Sequence, residues 1–232
     1  MDEQDFDHEV PDFSGDDFAD DKDIQRLRAE AQRQKEMLDE SMTVIAAAFN
    51  LREMDDDSYD ESNDGWIESL EKFVIFNNLN GGIKAAYSSV NEEDGMVVVA
   101  VEHTTSYPTA RNLNRGSNLC LLGMIPLRKS YPKTYICRET IREKIMDFFV
   151  RRETDLPEHK KFSGKFYLLT DDAVRLRTLL QFSPLDDLVK FPDLELEIQG
   201  EFCLFRHSGS EVWKEEAEKH VELTKALQRI FS

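Results

Sequence analysis

The chain has 232 residues, with 47 Asp and Glu against 29 Lys and Arg, so its formal net charge at pH 7 is −18. This charge is concentrated in residues 1–64, which hold 22 acidic and 6 basic residues. A field of this sign repels phosphate, and it therefore argues against binding to nucleic acid or to an anionic membrane surface.

Residues 1–21 form an acidic leader in which single apolar residues stand among Asp and Glu. Such a segment cannot bury enough apolar surface to offset the entropy that ordering would cost, so we expect a disordered tail. It lacks the basic start and the apolar core of a secretory signal. No apolar run in the chain reaches the ~20 residues that a membrane-spanning helix needs. We therefore expect a cytoplasmic protein without a transmembrane segment.

Residues 22–52 show the pattern of a long helix. The interior of the segment has no Gly or Pro, and its many Gln, Arg, Glu, Ala and Met residues favour helix. Its apolar residues follow a heptad spacing of three and four, and they are Ile24, Leu27, Ala31, Leu38, Ile45 and Ala48. The second half is apolar around most of its circumference. It should pack either on the rest of the chain or on a second copy of itself, which would make a homodimer through residues 22–52.

An acidic linker is predicted at residues 53–65, and a globular domain at residues 66–232. The domain contains two β-rich halves, residues 77–137 and 165–207, and each half is followed by a helical pattern. The sequence therefore predicts an α+β fold in which antiparallel β-sheets have flanking helices, preceded by the long helix and the acidic tail.

Two hairpins are predicted within these halves. Ile83–Ser89 and Met96–Thr104 are rich in β-forming residues and are joined by a turn-rich segment, which is typical of a hairpin. Leu194–Ile198 alternates apolar residues with glutamates, so we expect one buried face and outward-facing glutamates. Gly200 should then turn the chain into Phe202–His207 to complete the second hairpin.

Helices are predicted between and after the strands. Thr140–Val150 is amphipathic. A Thr-Asp-Asp sequence should cap a helix that runs through Leu180, and a shorter helix should begin at Pro184 and end near Val189. The chain closes with an amphipathic pattern after Ser210.

Three stretches of the domain together resemble an uncharacterised bacterial domain family of unknown function. They read N-N-L-N-G-G-I-K-A-A-Y (77–87), F-S-G-K-F-Y-L-L-T-D-D-A-V-R-L-R-T-L-L (162–180) and L-E-L-E-I-Q-G-E-F-C-L-F-R (194–206), followed by the closing helix. The resemblance covers about residues 66–232. It implies an α+β unit, and it implies neither an activity nor any site residues.

Residues 60–71 resemble the twelve-residue calcium loop of an EF-hand. Oxygen-bearing residues stand at loop positions one, three, five, nine and twelve, a glycine stands at position six, and the residue at position seven would contribute its carbonyl. The predicted calcium ligands are Asp60, Ser62, Asp64, Trp66, Glu68 and Glu71. The preceding residues lack the apolar anchors of an incoming helix, and no second loop exists to pair with. The alternative interpretation is an acidic linker that leads into the first core segment.

Residues 111–152 form a basic segment with ten Lys and Arg against three acidic residues. With Tyr131 and Tyr135 between the charges, this segment could meet phosphates. The alternative is that its cationic groups are scattered over several elements and face solvent. They include Arg128, Lys129, Lys133 and Arg138 among the residues nearest the tyrosines.

The cysteines and histidines form no motif that signals a metal site or catalysis. Cys120, Cys137 and Cys203 lie in apolar runs without paired spacing, so we interpret them as buried, reduced thiols. The five histidines have no H-x-x-x-H or H-E-x-x-H spacing.

The function that the sequence favours is a non-catalytic binding or adaptor module for a protein partner. One alternative is a calcium-responsive module that uses residues 60–71. Another is an enzyme whose dispersed catalytic residues come together only in the fold. Calcium is the one cofactor that the sequence suggests.

Overall fold

The computed structural model of the chain describes residues 21–54, 64–79, 81–91, 95–108, 113–138, 154–207 and 214–231. For residues 21–23, 27, 64–65, 104–108 and 113–117 it describes the backbone alone. The predicted tail before residue 21, most of the acidic linker, and the helix predicted at Thr140–Val150 lie outside the described residues. Within the described residues, no helix is long and apolar enough to span a membrane.

The described helices are interspersed among the strands along the chain. They are α1 (Asp21–Phe49), α2 (Asp64–Glu71), α3 (Val74–Asn77), α4 (Lys160–Ser163), α5 (Ala173–Leu180), a 3₁₀ helix (Leu185–Lys190) and α6 (Lys214–Ile230). The predicted cap of α5 is confirmed, because the Asp172 carboxylate accepts a hydrogen bond from the backbone N–H of Arg175 at 2.9 Å. The short helix after Pro184 is also present, with 3₁₀ geometry.

The described strands form one antiparallel sheet. They are β1 (Leu51–Glu53), β2 (Ile83–Ser89), β3 (Val97–Pro108), β4 (Leu113–Cys137), β5 (Tyr167–Thr170) and β6 (Leu194–His207). Their order is β1-β2-β3-β4-β5, and β6 pairs with the opposite edge of β4. The α+β class with antiparallel strands is therefore confirmed, but the two β-rich halves share a single sheet because β4 pairs with strands from both.

The first predicted hairpin is confirmed and the second is wrong. In the first, β2 pairs with β3 so that Ser88 lies opposite Val97. In the second, Gly200 has a φ of 62° yet lies inside β6, which continues past it as one strand. The residues on both sides of Gly200 pair with β4, and the pairing slips only near Tyr131. The positive φ of Gly200 thus accompanies an irregularity in the pairing within the strand, and it does not reverse the chain.

The sheet is covered on both faces. Along β3, Val98 and Ala100 belong to a core that includes residues of α1, α5 and α6, whereas Val97, Val99 and Val101 belong to a core that includes residues of α2 and α3. This two-sided burial makes the prediction for Leu194–Ile198 wrong. Its leucines and isoleucine face the first core as expected, but Glu195 and Glu197 are 1% and 0% exposed.

Helix α1 spans the boundary between two units, and the second unit begins at Met37. In the second unit its residues Leu38, Met42 and Ile45 are buried in the first core. The second half of α1 therefore packs on the rest of the chain, which is one of the two alternatives that the sequence left open. The helix ends at Phe49, before the predicted residue 52, because Leu51–Glu53 pairs with β2 as β1.

Glycine at position 123 is required by the packing of the first core against β4. A Cβ placed there would lie 2.3 Å from Phe205 Cζ and 2.8 Å from His220 Nε2. Both rings are buried, so neither can move aside cheaply.

We predict that Ile45→Ala lowers the free energy of unfolding by about 2–4 kcal/mol, because it leaves a cavity in a fully buried site. Urea unfolding followed by circular dichroism measures this. Ala48→Ser, at an exposed position of the same helix, should change the free energy by less than about 1 kcal/mol. Equal effects of the two substitutions would show that α1 does not contribute to the core.

Candidate functional site

The structure describes only part of the predicted calcium loop. Asp60 and Ser62 lie outside the described residues, while Asp64 through Glu71 form helix α2. An EF-hand needs most of these residues in a loop that wraps the ion, and the side chains of Glu68 and Glu71 are exposed on the helix. No group of three or more His, Cys, Asp or Glu within the described ranges is arranged to hold a metal. The calcium site stays a prediction.

The basic segment is dispersed over the surface where it is described. The side chains of Arg128, Lys129 and Arg138 are exposed, and Arg138 pairs with Asp193 at 2.9 Å. The residues from 139 to 152 lie outside the described ranges. Of the cations that remain, Arg128 is the one that joins cations from other parts of the chain.

A buried polar cluster lies on the sheet face that α2 and α3 cover. The Glu195 carboxylate accepts hydrogen bonds from the Tyr135 hydroxyl and from the Arg206 guanidinium, whose Nε lies 2.5 Å from Glu195 Oε2. The side chain of Arg206 is 18% exposed and the side chain of Glu195 is 2% exposed. Burial and the neighbouring Glu195 carboxylate raise the pKa of the Tyr135 phenol, so this hydroxyl stays protonated and acts as a donor.

Glu197 joins β6 to the helices above it. Its carboxylate accepts a hydrogen bond from the backbone N–H of Ile75 at 3.1 Å and another from the Gln199 amide at 2.7 Å. The same amide reaches the carbonyl of Lys72 at 2.6 Å. Burial raises the pKa of Glu197, while these donors and the charge of Lys133 oppose that shift. Both glutamate carboxylates therefore accept their hydrogen bonds from groups of the chain itself, inside the core.

The cysteines near this cluster are thiols. Burial raises the pKa of Cys120, and burial together with the Glu195 charge raises the pKa of Cys137 to about 12. Cys203 is fully buried, and burial raises its pKa as well. The three cysteines are free, with Cys137 and Cys203 buried as expected and Cys120 only partly buried. A thiolate is the reactive form, and the raised pKa values keep these thiols protonated at pH 7. Protonated thiols of this kind are suited to packing in an apolar core and are poor nucleophiles.

His220 is a buried ring on α6 that stacks on Phe205, with centroids 5.1 Å apart. Its Nε2 has no hydrogen-bond partner among the described residues. Burial, with a smaller contribution from the charge of His207, lowers the pKa of His220 to about 4. Nδ1 of His207, at the end of β6, lies 3.0 Å from Oε2 of Glu216, which is on α6 like His220. His220 is thus neutral at pH 7.

A groove with a volume of about 910 Å³ lies between β4 and α6. One wall is the β4 segment Ile125–Arg128, where the pairing with β6 is irregular after Pro126. Proline has no N–H to give to a neighbouring strand, which favours such an interruption. The other wall is the end of α6 with Phe231, and Lys190 of the 3₁₀ helix completes the lining.

The charges that line the groove are mainly positive. They are Arg128, Lys190, Lys225 and Arg229, together with Glu222. Lys190 lies 4.0 Å from Glu222, and Arg229 lies 3.6 Å from Asp187. These exposed pairs contribute little to stability. Neither Arg128 nor Lys225 forms an ion pair within the part of the chain that the structure describes, and Lys225 lies over the Phe49 ring at 5.9 Å.

Sequence reasoning identified Arg128 and missed the other residues of the groove. Lys190, Lys225 and Arg229 come from two segments that are far from Arg128 in sequence, so no local motif connects them. The pairing of β4 with β6 brings the segments together.

No model of a protein family, no curated protein and no solved structure matches the chain.

We predict that Arg206→Met lowers the free energy of unfolding by about 3 kcal/mol or more, because it leaves the Glu195 carboxylate buried without its cation. Denaturant unfolding measures this. Arg138→Met removes an exposed pair and should cost less than about 1 kcal/mol. Adding Glu195→Gln to Arg206→Met should recover part of the loss. A result for Arg206→Met equal to that for Arg138→Met would contradict the role of the pair.

We predict that acid destabilises the fold through His220. The pKa of His220 in the folded state lies below the ordinary value of 6.5. As the pH falls from about 6.5 toward 4, His220 of the unfolded state takes up a proton while His220 of the folded state stays neutral. The free energy of unfolding therefore decreases over this pH range. Between pH 7 and pH 5 the loss should be about 2 kcal/mol.

The measurement compares wild type with His220→Leu in denaturant unfolding at each pH, so that all other titrating groups cancel. The difference in unfolding free energy should move in favour of the Leu variant as the pH falls. A difference that does not depend on pH would contradict the prediction.

Proposed function

We propose that the chain is a non-catalytic binding module whose groove between β4 and α6 receives a protein partner. The observation that carries this proposal is the gathering of Arg128, Lys190, Lys225 and Arg229 around one groove in a chain of net charge −18. Cations that lie together against the overall charge of a protein create a local field that can orient an anionic partner.

The internal use of the other polar groups supports a binding role over catalysis. The Glu195 carboxylate is bonded to Tyr135 and Arg206, and Glu197 is bonded to Ile75 and Gln199. These contacts satisfy the carboxylates within the core, away from the groove. The groove instead offers exposed charges beside apolar surface, which is the composition of a recognition site.

The test uses charge reversal in the groove. The full chain, tagged and incubated with a lysate of the source cells, is treated with an amine-reactive cross-linker, and cross-linked peptides are identified by mass spectrometry. We expect one protein to be linked through Lys190 or Lys225, and to be recovered about tenfold less with Arg128→Glu/Arg229→Glu, because two attractive charges become repulsive while both lysines stay available to the cross-linker.

The matched control is Lys129→Glu/Lys161→Glu, which changes the net charge equally at exposed positions outside the groove. This variant should recover the partner as wild type does. Equal recovery with the groove variant and the control variant would contradict the proposal. Melting temperatures of all three proteins verify that the substitutions leave the fold intact.

A truncation that separates the acidic leader from the domain must retain the second half of α1. Starting the chain at Gly65 would remove Met42 and Ile45 from the core. Starting it at Lys22 removes the leader alone. Recovery of the partner by this shorter chain is the expected result, and its complete loss would assign binding to the leader.

A further inference from the structure

We infer that the groove binds a short extended peptide in which carboxylate side chains alternate with large apolar ones. This inference rests on the proposed function and adds the chemistry of the partner. It follows from the signs of the charges in the groove, from their positions on α6, and from the apolar wall opposite them.

The signs of the charges select an anionic ligand of limited extent. Four of the five charged side chains that line the groove are cationic. The net charge of the whole chain is −18, so its overall field disfavours long polyanions. A nucleic acid or an anionic membrane would extend past the four cations of the groove and lose their attraction. A peptide of a few residues would stay within the attractive region.

The positions of two cations match the repeat of an extended peptide. Lys225 and Arg229 are four residues apart on α6, and four residues of helix rise by about 6 Å. Side chains two residues apart in an extended chain lie on the same side and about 6.6 Å apart. Carboxylates at alternate positions of a peptide would therefore meet Lys225 and Arg229 in turn.

The opposite wall of the groove can contact the peptide side chains that lie between the carboxylates. Pro126 is exposed on β4 and lines the groove together with Phe231. In an extended peptide the residue between two carboxylates points to the other side, which here is the side of Pro126. A large apolar side chain at that position would cover the proline and remove water from the cations, which strengthens their attraction for carboxylates. Arg128 lies at the end of the same wall.

A volume of about 910 Å³ agrees with an occupant of this size. Sites for ligands larger than a single ion measure roughly 300–1,000 Å³. One phosphate or carboxylate would leave most of the groove to water, whereas four or five peptide residues would fill it.

The probe is a fluorescein-labelled peptide with the central sequence Asp-Phe-Asp-Phe-Asp between Gly and Ser residues. Two control peptides replace either every Asp by Asn or every Phe by Ala. Fluorescence anisotropy of each peptide is measured against the full-length chain. We expect saturable binding of the first peptide, and binding at least about tenfold weaker for each control peptide, because each lacks one of the two kinds of contact.

The variants connect this binding to the groove. Lys225→Glu should weaken binding by about tenfold or more, since it removes an attractive charge and adds a repulsive one. Lys129→Glu adds the same charge on β4 outside the groove lining and should change the affinity less than about twofold. Added salt should weaken binding of wild type, because the charges at the groove are exposed.

Two outcomes would overturn the inference. One is the absence of saturable peptide binding up to millimolar protein. The other is binding of heparin, single-stranded DNA or anionic vesicles that is tighter than peptide binding and equally sensitive to Lys225→Glu. If either occurs while a protein is still cross-linked through Lys190 or Lys225, the proposed function stands and only the peptide chemistry is wrong. If no protein is cross-linked there, the proposed function fails as well.

Discussion

Strand β4 is paired along both of its edges, and the rest of the domain depends on this pairing. Its first half pairs with β3, its last residues pair with β5, and β6 lies along the opposite edge. The strands at its two edges come from the two β-rich halves of the sequence, so β4 joins them into one sheet. The irregular stretch near Pro126 and Tyr131 lets such a long strand change its pairing without ending. The groove lies beside the same stretch.

A sheet that is covered on both faces sets the environment of β6. Leu194 and Leu196 face one core, and Glu195 and Glu197 face the other. Burying carboxylates costs free energy that their hydrogen bonds only partly return, and a well-packed apolar pair could be equally stable. The glutamates do contribute to the alignment of β6. A shift of one residue would turn both carboxylates into the apolar core that holds the leucines, away from the Tyr135 hydroxyl of β4 and the N–H of Ile75.

The sequence was sufficient where structure follows from neighbouring residues. The periodicity of α1, the hairpin of β2 and β3, and the Asp172 cap of α5 each depend on contacts within a few residues, and each was predicted. It was insufficient where a distant element decides the outcome. Gly200 has the features of a turn, but the pairing of β6 with β4 on both sides of it holds the chain extended.

The candidate site shows the same limit. The alternating pattern of β6 predicts that Glu197 faces solvent. In the fold, α3 covers this residue and the N–H of Ile75 donates a hydrogen bond to its carboxylate. The apolar run around Phe73 and Val74 was the available signal, because those residues need a second sheet face to cover. The groove has no comparable signal, since Arg128, Lys190 and Lys225 are brought together only by the completed sheet.

The order in which the ribosome releases the strands has a consequence for β4. Its partner β3 precedes it in the chain, so one edge can pair as soon as β4 emerges. The edge that β6 will occupy stays open until His207 has been synthesised, which takes several seconds at about 5–20 residues per second. During that interval the nascent chain exposes a long apolar strand edge, a feature that other chains can pair with.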